Sequence, residues 1–144
     1  MESVKDDLQG LILDKLQLKE LYLKKVHTNT VAKLISASEN LEALELVNIS
    51  CTNEIDNKLG KLKQLACKNT CLHLTENLTK LANLSLTSLV VDSPRTCNCA
   101  FYPKYDLDNL IEFFCRRGSP EYVSKILNSS YKTMKDVGIS KIYD

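Results

Sequence analysis

The chain has 144 residues and a formal net charge of +1, with 19 lysines and arginines against 18 aspartates and glutamates. This length suits one domain. The near-zero charge, without a long basic run, argues against nucleic-acid binding, which needs a phosphate-neutralising surface. No stretch approaches the roughly 20 consecutive apolar residues that span a bilayer. Leucine is the outlier, at about a sixth of the chain against an average near a tenth.

The amino-terminal segment is polar and acidic from Met1 to Asp7, whereas a signal peptide needs a basic start and an apolar run. We therefore expect a soluble, cytoplasmic protein. The leucine phrase from Leu8 to Leu13 follows at once, and it predicts an amino-terminal capping strand or turn.

A repeated phrase, Leu-x-x-Leu-x-Leu with an apolar residue three positions later, dominates the rest of the chain. Its copies begin at Leu18, Leu41, Leu62 and Leu81, so the spacings are 23, 21 and 19 residues. Leucines three apart also fit a helical bundle. The alternation inside each phrase and the Thr, Ser and Asn clusters between phrases favour short strands instead.

A longer unit is used twice. Residues 31–49 and 123–142 each begin with apolar spacing suited to a short helix and end with alternation suited to a strand. This pairing predicts a helix–strand unit at both places.

These phrases resemble the repeats of the leucine-rich repeat family. The resemblance implies an α/β solenoid, or horseshoe, with a short-stranded parallel sheet on its concave face and helices or turns on its convex face. The expected single domain covers 1–144, with clean repeats at 18–91, an irregular insertion at 92–109, and helices and a last repeat at 106–142. The family often places Asn or Cys where this chain has Val26, Ile49, Thr70, Leu89 and Ile142. We therefore expect its side-chain ladder to buried backbone groups to be absent.

The region after the insertion is predicted to contain a helix. Asp106 to Cys115 resembles a capped amphipathic helix ending near Gly118, with its apolar side formed by Leu110, Ile111, Phe113 and Phe114. The strand of the last repeat would be an open edge, which favours self-association or pairing with a further strand.

Six cysteines offer two kinds of chemistry. Cys67, Cys71 and His73 would supply three zinc ligands, or the centre of a small hydrolase. However, Cys67 replaces an inward leucine of the repeat, and a free cysteine packs as a small hydrophobe. We therefore expect no metal and no cofactor.

An extracellular alternative rests on Ser93 to Cys99, which resembles the start of the cysteine-bearing carboxyl-terminal cap of secreted leucine-rich repeat proteins. That resemblance implies disulfides involving Cys97, Cys99 and Cys115. Four glycosylation sequons, at Asn48, Asn77, Asn83 and Asn128, would suit a secreted or cell-surface receptor fragment.

No glycine-rich phosphate loop, His-Glu-x-x-His or Gly-x-Ser-x-Gly motif occurs, so we predict no catalytic residues and no enzyme. The expected activity is adaptor-like binding of a protein or peptide through the concave sheet. Tyr22 is the expected anchor, because tyrosine combines apolar area with a polar tip. The predicted contact positions alternate with the inward leucines and are Glu20, Tyr22, Lys24, Glu45, Val47, Gln64, Lys68, Ser85 and Thr87.

Overall fold

The computed structural model describes residues 17–50, 52, 54–92 and 105–141. These residues form six strands and three helices. The strands are β1 (Glu20–Lys24), β2 (Ala43–Val47), β3 (Gln64–Lys68), β4 (Ser88–Asp92), β5 (Glu112–Arg116) and β6 (Asp136–Ser140). The helices are α1 (Thr28–Ser36), α2 (Leu72–Leu81) and α3 (Pro120–Ser130). None of the helices in these residues is long and apolar enough to cross a membrane.

The six strands form one sheet in the order of the sequence, and every neighbouring pair is parallel. The register is unshifted, so that Tyr22 lies beside Glu45 and Glu45 lies beside Ala66. Helices α1, α2 and α3 connect β1 to β2, β3 to β4 and β5 to β6. The chain is therefore an α/β fold with a sequence-ordered parallel sheet, an arrangement compatible with a solenoid.

Both predicted helix–strand units are present. In residues 31–49, α1 is followed by β2, and in residues 123–142, α3 is followed by β6. Helix α1 begins after His27, whose Nδ1 accepts a hydrogen bond from the Asn29 backbone N–H at 3.2 Å. Helix α3 begins after Ser119, whose Oγ accepts from the Tyr122 N–H at 3.2 Å. These side-chain caps satisfy donors that an isolated helix end leaves unpaired.

The hydrophobic core lies on the inward side of the sheet. Alternate residues of each of the strands β2 to β5 are buried, for example Leu44 and Leu46 at 2% and 0% exposure. Val31 and Ile35 of α1 are fully buried in the same cluster. The connection from β2 to β3 is held by Asn77 of α2, whose Oδ1 accepts from the Ile55 N–H at 2.9 Å and whose Nδ2 donates to the Ile55 carbonyl at 3.1 Å.

The fourth repeat begins at Leu86, so its predicted start at Leu81 is wrong. Leu81 ends helix α2, and Leu84 of the predicted strand is 68% exposed in the turn that follows. The inward residues of β4 are Leu89 and Val91. In the structure the repeated phrase begins at Leu18, Leu41, Leu62, Leu86, Leu110 and Met134, with spacings of 23, 21, 24, 24 and 24 residues.

The predicted helix from Asp106 to Cys115 is also wrong, because its second half is strand β5. Burial alternates with period two there: Phe113 is 0% exposed and Phe114 is 41% exposed. Leu110 is buried and Ile111 is 37% exposed. Adjacent side chains on opposite faces are the property of a strand. Of the predicted insertion at 92–109, residues 93–104 lie outside the described residues, as do 1–16 with the predicted amino-terminal cap.

Each of five strands is followed directly by a residue with positive φ: Lys25, Asn48, Asn69, Arg117 and Lys141. Asparagine tolerates this left-handed conformation better than most residues. Asn69 Nδ2 donates to Asn48 Oδ1 at 2.7 Å, which ties β2 to β3 through side chains. The expected absence of a side-chain ladder to backbone groups is wrong at one of the five positions, because Thr70 Oγ1 donates to the Leu46 carbonyl at 3.3 Å.

Strand β6 is at the end of the sheet, and among the described residues it pairs only with β5. Val137 and Ile139 occupy the positions that are buried in β2 to β5, yet they are 46% and 40% exposed. The predicted open edge is therefore present in this part of the chain, and self-association through it stays a prediction.

Candidate functional site

The outward face of the sheet consists of three rows of side chains, one from each alternate strand position. The amino row is Glu20, Ala43, Gln64, Ser88, Glu112 and Asp136. The central row is Tyr22, Glu45, Ala66, Val90, Phe114 and Gly138. The carboxyl row is Lys24, Val47, Lys68, Asp92, Arg116 and Ser140. Because the register is unshifted, each row crosses the strands as a continuous stripe.

Seven of the nine predicted contact residues lie on this outward face. They come from β1, β2 and β3 and are Glu20, Tyr22, Lys24, Glu45, Val47, Gln64 and Lys68. Sequence reasoning therefore placed the first three strands and their alternation correctly.

The other two, Ser85 and Thr87, are not on the outward face, since both precede β4. The Ser85 hydroxyl donates to the Leu62 carbonyl at 2.7 Å, which gives it a structural role between repeats. Thr87 Oγ1 donates to the Lys63 carbonyl at 3.1 Å. Val90 and Asp92 occupy the outward positions that were predicted for Ser85 and Thr87, because the fourth repeat starts five residues later than predicted.

Strand β5 contributes outward residues that the sequence analysis missed, because it predicted a helix there. Phe114 lies in the central row and Arg116 in the carboxyl row. A Cβ added at Gly138 would lie 2.6 Å from Phe114 Cδ1, so the aromatic ring covers this glycine. The spacing Leu110-x-x-Phe113-x-Cys115 was the available signal, with Phe and Cys in place of leucines.

Two exposed aromatic side chains occupy the central row. Tyr22 is 58% exposed and Phe114 is 41% exposed, on β1 and β5 respectively. Between them, Ala66 and Val90 are half-buried and present small apolar surfaces. Exposed aromatic side chains on a rigid surface are typical of protein-binding sites.

A groove of about 640 Å³ lies over the amino halves of β1 to β4. The small side chains of Ala43 and Ala66 leave this space, while the larger Tyr22, Glu45 and Gln64 also line it. The groove is open to solvent along the sheet, so it offers a surface for a protruding side chain rather than an enclosed cavity.

Charge is separated across the outward face. The amino row carries the acidic residues Glu20, Glu112 and Asp136, while Lys24, Lys68 and Arg116 lie in the carboxyl row. In the central row, Glu45 is 3.7 Å from Lys68 Nζ, and both side chains are partly exposed. Asp92 is the acidic residue of the carboxyl row. Arg117 donates two hydrogen bonds to its Oδ1, at 2.9 Å and 3.0 Å.

The two free cysteines among the described residues serve the core. Cys67 and Cys115 both point inward and are buried, at 1% and 3% exposure. Burial raises the pKa of the Cys67 thiol to about 12 and that of Cys115 to about 11. Neither thiol ionises near neutral pH, so neither is a ready nucleophile or thiolate ligand. The cap disulfide implied for Cys115 is therefore wrong, and Cys97 and Cys99 lie outside the described residues.

The zinc or hydrolase centre at Cys67, Cys71 and His73 is also wrong. Cys71 is part of a disulfide and has no thiol to offer a metal or a substrate. The described residues contain no group of three His, Cys, Asp or Glu side chains placed to hold a metal ion.

A buried polar cluster on the opposite side of the sheet ties α2 to α3. The Tyr105 hydroxyl donates to Glu76 Oε1 at 2.8 Å, and Lys125 forms an ion pair with Glu76 Oε2. Lys125 Nζ also lies 4.7 Å from the centre of the Tyr105 ring. Burial is the main cause that raises the pKa of Tyr105, and the Glu76 carboxylate adds to it. Mutual satisfaction of these groups indicates a structural link between repeats.

No protein-family model, no curated protein and no solved structure matches the chain. The features that bear on function are therefore those of the outward face itself. It combines exposed aromatic rings, a groove and separated rows of charge.

Proposed function

We propose that the chain is a leucine-rich repeat solenoid that acts as a non-catalytic, adaptor-like interaction module. The observation that carries the proposal is the outward face, with Tyr22 exposed on β1, Phe114 exposed on β5 and the groove adjoining Tyr22. In a solenoid this face is the concave one, and its partner is a protein or peptide.

The repeat geometry supports this assignment. Six strands lie in one register, and the inward residues of β1 to β5, spaced 21 to 24 residues apart, form a continuous core that no single repeat provides alone. The same geometry holds the outward side chains in fixed rows. Rigid presentation favours affinity because little conformational freedom is lost on binding.

The aromatic residues are the expected source of binding energy. Tyr22 places most of its ring in solvent, where it gains by burial against a partner. Charged residues of the amino and carboxyl rows contribute mainly to encounter rate and orientation.

Site-specific crosslinking tests the proposal. A photoreactive phenylalanine analogue replaces Tyr22 in one variant and Tyr131 in another. Tyr131 is a matched control, since it is 71% exposed but lies in the turn after α3. We expect one partner protein to crosslink at position 22 and not at 131. Crosslinking only at 131, or equally at both, would contradict binding by the outward face.

A second candidate keeps the same face but places the module outside the cell. The Cys71 disulfide favours it, because disulfides persist in oxidising compartments. Of the four sequons, Asn128 is exposed, whereas Asn77 is buried with its amide engaged by Ile55.

Thiol counting by mass on natively produced, denatured and unreduced protein separates the two candidates. Six free thiols would support the cytoplasmic adaptor. An oxidised Cys71, paired with Cys51, Cys97 or Cys99, would support the extracellular module.

A further inference from the structure

We propose that the groove over β1 to β4 receives an arginine or lysine side chain of the partner, so that the bound segment is basic where it crosses the amino row. This inference rests on the proposed function and specifies the partner's chemistry. It follows from the kinds of groups that line the groove, from its shape and from the charge distribution around it.

The groove offers groups that attract a cation. Glu20 and Glu45 contribute carboxylates, Gln64 contributes an amide oxygen, and Tyr22 contributes an aromatic ring. No lysine, arginine or histidine is among the described residues that line it. A guanidinium group suits this set, because it pairs with carboxylates through two N–H donors and stacks on an aromatic face.

The shape of the groove admits a long side chain. Ala43, Ala66 and Ser88 project little from the sheet. The Tyr22 ring, 58% exposed, lines the groove at β1. The methylene stem of an arginine or lysine gains from contact with these small and aromatic groups while its charged end reaches the carboxylates.

The two carboxylates remain available to a partner. Glu20 is exposed and forms no ion pair within the described residues. Glu45 is 3.7 Å from Lys68 Nζ, but both side chains are more than a third exposed. Exposed pairs of this kind contribute little stability, so a partner cation replaces Lys68 at small cost.

The rest of the face fixes the orientation. Glu112 and Asp136 extend the acidic amino row beyond the groove, while Lys24 and Arg116 lie in the carboxyl row, whose acidic residue Asp92 is paired with Arg117. A basic partner side chain is attracted to the acidic amino row and repelled by the basic residues of the carboxyl row. The bound segment therefore turns its basic side to the amino ends of the strands.

The test uses a fluorescein-labelled hexapeptide of alternating leucine and arginine, and the same peptide with citrulline in place of arginine. Citrulline has nearly the shape of arginine without its charge. Fluorescence polarisation measures affinity for the full chain, for Glu20→Gln/Glu45→Gln, and for Glu54→Gln. Glu54 is a matched control, because it is exposed in the connection between β2 and β3.

We expect the citrulline peptide and the double variant each to weaken binding at least about tenfold, with Glu54→Gln unchanged. Raising the salt concentration from 50 to 300 mM is expected to weaken the binding of the arginine peptide but not that of the citrulline peptide. Thermal unfolding of the double variant at the wild-type temperature would show that its fold is retained.

The inference is overturned if the arginine peptide does not bind, if citrulline binds equally well, or if the double variant keeps full affinity. A failure here with partner crosslinking at position 22 would leave the proposed function intact. Loss of crosslinking at position 22 would instead remove the function on which the inference rests.

Discussion

Phe113 and Phe114 are adjacent in sequence but lie on opposite faces of β5, and truncating each to alanine should have very different costs. Phe113 is fully buried and its ring centroid is 6.3 Å from that of Tyr122. A buried aromatic side chain removes about 150 to 250 Å² from water. At about 25 cal/mol per Å² this corresponds to about 4 to 6 kcal/mol, close to the about 3 to 5 kcal/mol typical of Phe→Ala in cores.

Phe114 is 41% exposed and covers Gly138, so Phe114→Ala leaves no enclosed cavity. We expect this variant to lose about 1 to 2 kcal/mol of unfolding free energy. The midpoints of these ranges differ by about 2.5 kcal/mol, which shifts the urea midpoint by about 1 M for a typical slope.

Urea titration followed by circular dichroism measures both free energies. If Phe113→Ala does not fold, Phe113→Leu should give a smaller loss in the same direction. Equal losses for the two alanine variants, or a larger loss for Phe114→Ala, would refute the alternation and with it the assignment of β5.

Three further predictions use the same assays. Ser85→Ala removes the hydrogen bond to the Leu62 carbonyl and should cost about 1 kcal/mol of unfolding free energy, with peptide affinity unchanged; weakened binding would return Ser85 to the site. Because burial raises the pKa of Cys67 from 9.0 to about 12, the unfolded thiol ionises first as pH rises above 9. Ionisation of this thiol should therefore lower the unfolding free energy by about 1.4 kcal/mol between pH 8 and 10. Cys67→Ala should abolish this pH-dependent loss. An identical pH profile for wild type and Cys67→Ala would contradict the prediction. Glu76→Gln removes the carboxylate that pairs with the partly buried Lys125 and should cost about 3 kcal/mol. The further change Lys125→Met should restore most of that loss; if it does not, the ion pair is not the cause.

The regular part of the fold was predictable because inward and outward residues differ in chemistry. In β1 to β3 nearly every inward position is leucine, and the outward positions are mostly charged or polar, as in Leu44, Glu45 and Leu46. Period-two burial therefore appeared directly in the sequence. The placement of seven of the predicted contact residues on the outward face followed from that alternation.

The fourth and fifth repeats were not predictable in the same way. Residues 81–86 match the repeat phrase, but α2 continues to Leu81, and only the packing of that helix decides which leucines start the strand. In β5 the pair Phe113 and Phe114 is apolar on both faces, so a helical and a strand pattern fit equally well. Tertiary contacts resolved both ambiguities.

The pairing state of the cysteines depends on spatial proximity rather than spacing. Cys67 and Cys71 are four residues apart, yet one is a buried free thiol and the other is in a disulfide. Cys67 points into the core from β3, whereas Cys71 lies at the amino end of α2.

The central claim is tested most directly by measuring affinity for the partner that crosslinking identifies. That partner is purified without crosslinking and titrated against three forms of the chain. Isothermal titration would compare wild type, Tyr22→Ala and Tyr131→Ala. If the outward face is the binding surface, Tyr22→Ala should raise Kd by about 30-fold or more, as expected for a loss of about 2 kcal/mol at a hot spot, with Tyr131→Ala within twofold of wild type. An unchanged Kd for Tyr22→Ala, or a large effect of Tyr131→Ala, would contradict it.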